Sequence, residues 1–189
     1  ALAAVDGDRR ISVQMSHLAA NGVMLHLVAY GITTMAAFLS VSAIYNETGK
    51  EEIKDFAGMA RRAPAVAMVF AASLFSLAGL PVFAGFTSKF YLFNAAAVQG
   101  LLWLAGLAIF MSVVSLYYDL LVVRQMYIET APDPTPIRVP RATLGLLGVL
   151  LLGMVFLGVY PAPLMDAIQN ASDAIMSSDG VIRLAQAVD

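Results

Sequence analysis

The chain contains no cysteine among its 189 residues, which excludes disulfides, thiolate metal sites and thiol nucleophiles together. Charge is almost as scarce: Asp, Glu, Lys and Arg make up 13% of the residues, against roughly 25% in an ordinary soluble domain. No run of Lys or Arg exceeds two residues, and the formal net charge is -2. That leaves no basic field for a nucleic-acid backbone. The chain opens at Ala1, with no basic stretch leading into a short apolar run and a small-residue cleavage site, and it is read as a fragment whose upstream part is missing. The glycines from Gly79 to Gly85 follow no strand and match neither a dinucleotide fingerprint nor a phosphate-binding loop.

What is present is apolar surface. Hydrophobic residues account for 60% of the chain, which predicts an all-helical polytopic membrane protein embedded in the lipid bilayer. Spans of about 20 residues allow roughly four crossings. Residues 1–17 read as a surface segment with a turn at Asp6-Gly7-Asp8-Arg9-Arg10, and residues 18–45, uncharged and free of proline, read as the first span. Asn46 to Lys50 is a helix stop that begins a cytoplasmic loop, 46–62. Residues 101–128 form a span with Trp103 near one end and Tyr117, Tyr118 and Tyr127 toward the other. Pro132, Pro134, Pro136 and Pro140 fill a loop at 129–141, residues 142–160 make the last span, and the tail 161–189 is weakly amphipathic enough to lie on the membrane surface. Gly145, Gly148 and Gly153 of that last span read as helix-packing positions.

Residues 63–98 carry one charge, Lys89. Their length, about 54 Å as helix, is too great for a single straight crossing of a core near 30 Å. Gly79, Pro81 and Gly85 lie near the middle, so the segment reads as two half-helices joined by an unwound stretch, the competing choice being two short complete spans. Charge asymmetry decides between them. With one broken span, Lys50, Lys54, Arg61, Arg62, Arg124, Arg138 and Arg141 share a face, opposite Arg9, Arg10 and Arg183. The richer face is cytoplasmic, which places both termini outside; two spans would leave a near tie.

An ammonium in an apolar run costs several kcal/mol and marks a functional site by default. Apolar residues continue past Lys89 to Val98, too far for the stem to snorkel to the sequence-local interface. On the first span His26, Tyr30, Thr33 and Thr34 fall on one face. That stripe is either a place where His26 passes protons or a packing surface with hydroxyls bonded across a contact or to their own backbone. Ser112, Ser115 and Asp119 make a second stripe. Asp119 is a relay carboxylate or, more simply, a structural partner of Arg124.

The run Ser76-Leu-Ala-Gly-Leu-Pro81, followed by Ala84-Gly-Phe86 and Lys89-Phe-Tyr-Leu-Phe93, resembles the broken-helix element of the antiporter-like membrane subunits of respiratory complex I, its N-type branch above all. M-type subunits and cation/proton antiporters resemble it but carry glutamate at the lysine position. L-type subunits keep the lysine and usually follow it with an acidic residue where this chain has Phe90. Ser115 to Tyr118 and Gly158 to Pro161 extend the likeness, so the chain looks like the C-terminal four-helix portion of such a subunit. Val82, where the family often has a second proline, predicts a gentler break. The resemblance implies that Lys89 lies on a proton path; the polar positions near the break then make His26, Tyr30, Thr34 and Ser88 the groups expected to hold water or relay protons, with Asp119 a weaker candidate. It also implies a complex in a bacterial inner membrane, with other membrane subunits, the lipid bilayer, protons and internal water as partners. NADH oxidation and quinone reduction would occur in those other subunits, leaving this chain with no flavin, iron-sulfur cluster or other cofactor.

Overall fold

A computed structural model describes the backbone of residues 2–176 and the side chains of residues 17–173; Arg183 lies outside the described residues. Every regular element is helical: α1 Leu2–Thr48, a 3-10 turn Ile53–Phe56, α2 Met59–Arg62, α3 Pro64–Ala78, α4 Ala84–Val98, α5 Leu102–Tyr127, α6 Arg141–Val159 and α7 Ala162–Met176. Three stretches, His17–Thr48, Leu102–Tyr127 and Arg141–Val159, are each long and apolar enough to cross a membrane. The protein is an all-helical membrane protein.

α3 and α4 are 15 residues each, about 22 Å apiece and short of a bilayer core. Their register against α1 shows how they combine. Ser76 of α3 meets Thr33, while Ser88 of α4 meets His26, and Leu92 lies against Gly22. Contacts therefore move steadily down α1 as the chain passes from α3 into α4. An antiparallel pair of short spans would reverse that order, so α3 and α4 run in one direction as a single interrupted helix. α5 repeats the register from the other side. Its Leu104 and Ala105 share a groove with Leu92 and Ala96, Ser112 meets Lys89, and Val123 and Tyr127 lie by Met68 and Ala72.

The two half-helix ends at the interruption satisfy part of their backbone locally. Gly79 adopts φ +87 and donates to Ser76 O at 3.0 Å, while Leu80 N donates to Phe75 O at 2.9 Å, the paired bonds of a Schellman stop. Pro81 has no N–H to orphan. At the start of α4, Gly85 N donates to Ser76 Oγ at 3.1 Å. A Cβ on Gly85 would stand 1.7 Å from Ser76 O, so only glycine lets the two half-helices meet this closely. The break is not gentler for having Val82: that residue sits at φ +84, a strained conformation for a β-branched side chain and one closed to proline.

α6 ends at this level. Thr87 Oγ1 donates to Gly158 O at 2.7 Å, and a Cβ on Gly158 would lie 2.0 Å from Val82 O. Gly158 is thus the close-packed glycine of α6. Of the three glycines expected to pack, Gly153 has Ile32 Cγ2 3.7 Å from a built Cβ, whereas Gly145 and Gly148 have nothing within 4 Å. At the opposite end Phe56 and Met59 are buried against Phe70, Ile44 and Met126. The proline-rich loop is pinned there by Ile137 N to Arg62 O at 2.9 Å and Arg62 Nε to Thr135 O at 3.1 Å.

Two expectations need correction. α1 is helical back to Leu2, through the turn expected at Asp6 to Arg10. Those charges mark the end of apolar composition and do not stop a helix, in which the lone Gly7 costs only about 1 kcal/mol. Nor does the tail lie flat: Met165 and Ile168 of α7 pack on Leu25, and Asp173 Oδ1 lies 3.3 Å from His17 Nδ1. α7 thus runs antiparallel to α1, because its one apolar face finds a helix to cover it. The described residues of the tail end at Met176.

Gly85→Ala should cost about 1–3 kcal/mol through overpacking, seen as a lower thermal midpoint in detergent, whereas Gly148→Ala should leave the midpoint unchanged or raise it. Ser76→Ala should cost a similar amount, about 1–3 kcal/mol, by stranding the Gly85 N–H; an unchanged midpoint would show that the amide is satisfied another way.

Candidate functional site

Lys89 lies on the second turn of α4, and helical side chains lean toward the N-terminus. Its stem therefore runs back over the break, with Cδ 3.2 Å from where a Gly79 Cβ would be. The ammonium donates to Leu77 O at 2.7 Å, Ala78 O at 3.4 Å and Ser112 Oγ at 3.2 Å. Leu77 and Ala78 are the last carbonyls of α3, left over by the Schellman stop and carrying the negative end of the helix dipole. Lys89 thus caps α3 from a neighbouring half-helix, and the snorkelling alternative is excluded by its direction. Phe86, Phe90, Phe93, Ile109 and Leu116 wall a cleft of about 360 Å³ around it, between α4 and α5.

Ser88, the preceding residue, turns to the opposite side. Its hydroxyl donates to Gly85 O at 3.2 Å and meets His26 Nδ1 at 3.1 Å. His26 in turn stacks on Tyr30 with ring centroids 6.1 Å apart. Deeper along α1, Thr33 Oγ1 bonds Ala29 O at 2.7 Å and Ser76 Oγ at 3.0 Å, so α1 reaches the break through two polar contacts one level apart. Of the residues singled out in the sequence, Lys89, Ser88, His26, Gly79, Pro81 and Gly85 gather here.

Tyr30 and Thr34 are placed differently. Tyr30 is 53% exposed. Thr34 bonds the carbonyls of Tyr30 and Gly31 at 2.7 and 3.1 Å, the self-satisfying behaviour expected of a hydroxyl in a helix. Thr33 and Ser76 are the residues the sequence-based site omits. The stripe spacing contained Thr33, but only the register of α1 on α3 separates it from Thr34.

Asp119 does not pair with Arg124, whose guanidinium donates to Glu129 Oε1 at 3.1 Å. Arg124 lies over a turn further on and finds that nearer carboxylate where the chain leaves α5. Asp119 instead shares a face of α5 with Ser112 and Ser115 and feels the attraction of Lys89. Its Oδ2 is buried with no hydrogen-bond partner. Among the described residues no cluster of His, Asp or Glu has metal-binding geometry.

Comparison with known proteins gives this arrangement its setting. Residues 11–115 match the family described as NADH:quinone oxidoreductase/Mrp antiporter, transmembrane. NADH-quinone oxidoreductase subunit N of Moorella thermoacetica is 44% identical over 161 residues, which are 85% of this chain and 34% of that protein. The subunit N of Desulforamulus reducens is 37% identical over 82% of this chain and 32% of that protein. These N-type relatives fit the lysine-phenylalanine pair at 89 and 90. Among solved structures, respiratory complex I from Thermus thermophilus with bound NADH superposes with a TM-score of 0.75 at 26% identity, over 85% of this chain and 34% of that one. The Mrp complex from Dietzia sp. DQ12-45-1b shares the fold, with a TM-score of 0.77 at 22% identity over 87% of this chain and 39% of that one. The chain spans about a third of the length of the curated relatives it matches. With its interrupted helix, its lysine at the break and a family match over more than half its residues, the chain belongs to the NADH:quinone oxidoreductase/Mrp antiporter transmembrane family.

Proposed function

We propose that this chain is part of an N-type membrane-arm subunit of a proton-translocating NADH:quinone oxidoreductase in a bacterial inner membrane, with both ends of the sequence on the outer face. The carrying observation is the Lys89 ammonium, held in an apolar cleft by the leftover carbonyls of an interrupted helix. A lysine in such surroundings changes charge more readily than one in water, and three acceptors steady its charged form. When nearby charges change as electrons move through the complex, Lys89 gives up its proton and later takes another from the opposite side. His26 and Ser88, on the α1 side of the break, are placed to bring protons toward it. Tyr30 and Thr34 act only through water on that face.

Redox chemistry belongs to other subunits in this reading. NADH, flavin, iron-sulfur clusters and quinone are bound there, other membrane subunits are the partners, and this chain contributes a proton path without a cofactor of its own.

Replacing Lys89 in the assembled enzyme, with protons moved per NADH oxidised measured in vesicles, tests the assignment. Lys89→Ala and Lys89→Met should lower that ratio in complexes that still assemble. Lys89→Arg should keep the charge and a cap on α3 yet also fail to pump, because a guanidinium does not release its proton. Normal pumping by an assembled Lys89→Met or Lys89→Arg complex would reduce Lys89 to a structural cap.

A further inference from the structure

We propose that protons leave or reach Lys89 through Ser112 and the α5 stripe that ends at Asp119; this rests on Lys89 being the titrating group. The three acceptors around the ammonium differ in chemistry. Leu77 O and Ala78 O are amide carbonyls that accept hydrogen bonds but have no proton to give. Ser112 Oγ, 3.2 Å away, is a hydroxyl that accepts from the ammonium and donates to the lone pair of the neutral amine. Of the groups bonded to Lys89, it alone can both accept from the ammonium and donate to the amine. His26 and Ser88 bond each other on the opposite side of α4 and do not bond Nζ.

The stripe continues from there. Ser115 lies one turn from Ser112, roughly 5–6 Å between Cβ atoms, a gap a single water bridges. Asp119, one turn beyond Ser115, attracts Lys89 and has Oδ2 buried without a partner. Arg124, the cation that would otherwise neutralise this carboxylate, is engaged with Glu129. A buried carboxylate oxygen with an empty acceptor position is where an arriving proton gains most.

The transfer balances. An N–H bond of the ammonium breaks and its proton goes to Ser112 Oγ. The original Ser112 hydroxyl proton passes on through water and Ser115, each hydroxyl ending with one proton as it began. The Asp119 carboxylate takes the last proton and becomes a neutral acid. An ammonium and a carboxylate thus become an amine and a carboxylic acid, and no charge is left uncompensated in the apolar interior.

The assembled enzyme again provides the test, with protons per NADH oxidised as the readout and Lys89→Arg measured alongside. Ser112→Ala and Asp119→Asn should lower the ratio to the Lys89→Arg level, and Ser112→Thr, which keeps the hydroxyl, should restore it. If Lys89→Arg abolishes pumping while either Ser112→Ala or Asp119→Asn pumps normally, the α5 route is wrong and the Lys89 assignment stands. If Lys89→Arg pumps normally, both fall. Should Ser112→Ala fail to assemble, the nearly isosteric Asp119→Asn decides alone, its normal pumping overturning the route.

Discussion

A helix interrupted inside an apolar layer exposes carbonyls and amides that lipid cannot solvate, and each one left unpaired costs several kcal/mol. The break between α3 and α4 meets that demand with little material. Gly79 and Leu80 close back on Phe75 and Ser76, the Ser76 hydroxyl takes the Gly85 amide, and Pro81 has no amide to place. At the end of α3 the carbonyls of Leu77 and Ala78 remain, and Lys89 takes both. The rest of the molecule is arranged around this accounting. α1 supplies Thr33 to Ser76, α6 terminates on Val82 and Thr87, and α5 brings Ser112 to the ammonium.

On the role proposed for Lys89, capping and proton transfer are coupled demands on one amine. A charged Lys89 offers three donors to three acceptors, and a neutral one offers two donors and a lone pair. Loss of the proton must weaken a contact with α3 or turn the Ser112 hydroxyl around. Val82, held at positive φ beside the end of α6, is a strained residue of the kind that persists only where its surroundings overdetermine it. The charge of one side chain and the fit of two half-helices against α5 and α6 are thus parts of the same local balance.

Much of this was legible in the sequence, for identifiable reasons. Length against bilayer thickness exposed the interrupted span, and Gly79, Pro81 and Gly85 marked where it opens, since each answers a backbone requirement that few other residues meet. The charge at Lys89 stood out because nothing nearby in sequence solvates it. What the sequence hid was register. Spacing put Thr33 and Thr34 on one broad face of α1, but only packing against α3 turned Thr33 to the break and left Thr34 bonded to its own helix. The Arg124 and Asp119 pairing looked natural from their proximity, yet Glu129, just past the end of α5, reaches the guanidinium first. The charges of Asp6 to Arg10 suggest a turn although charged residues are compatible with helix, and the face of α7 that α1 covers is equally suited to being covered by lipid.

Register also separates the two polar faces that meet at Lys89. Ser88 and Lys89 are adjacent in sequence, about 100° apart around α4 at 3.6 residues per turn, so one faces α1 and the other α5. His26 can therefore sit a few ångströms from the break without touching the ammonium, while Ser112 touches it from the other side. A proton carrier that must accept from one direction and release in another needs such a division, because a single shared hydrogen-bonded cluster would let the proton return the way it came. Placing the amine on a half-helix whose adjacent residues face different neighbours supplies that division through helical geometry alone.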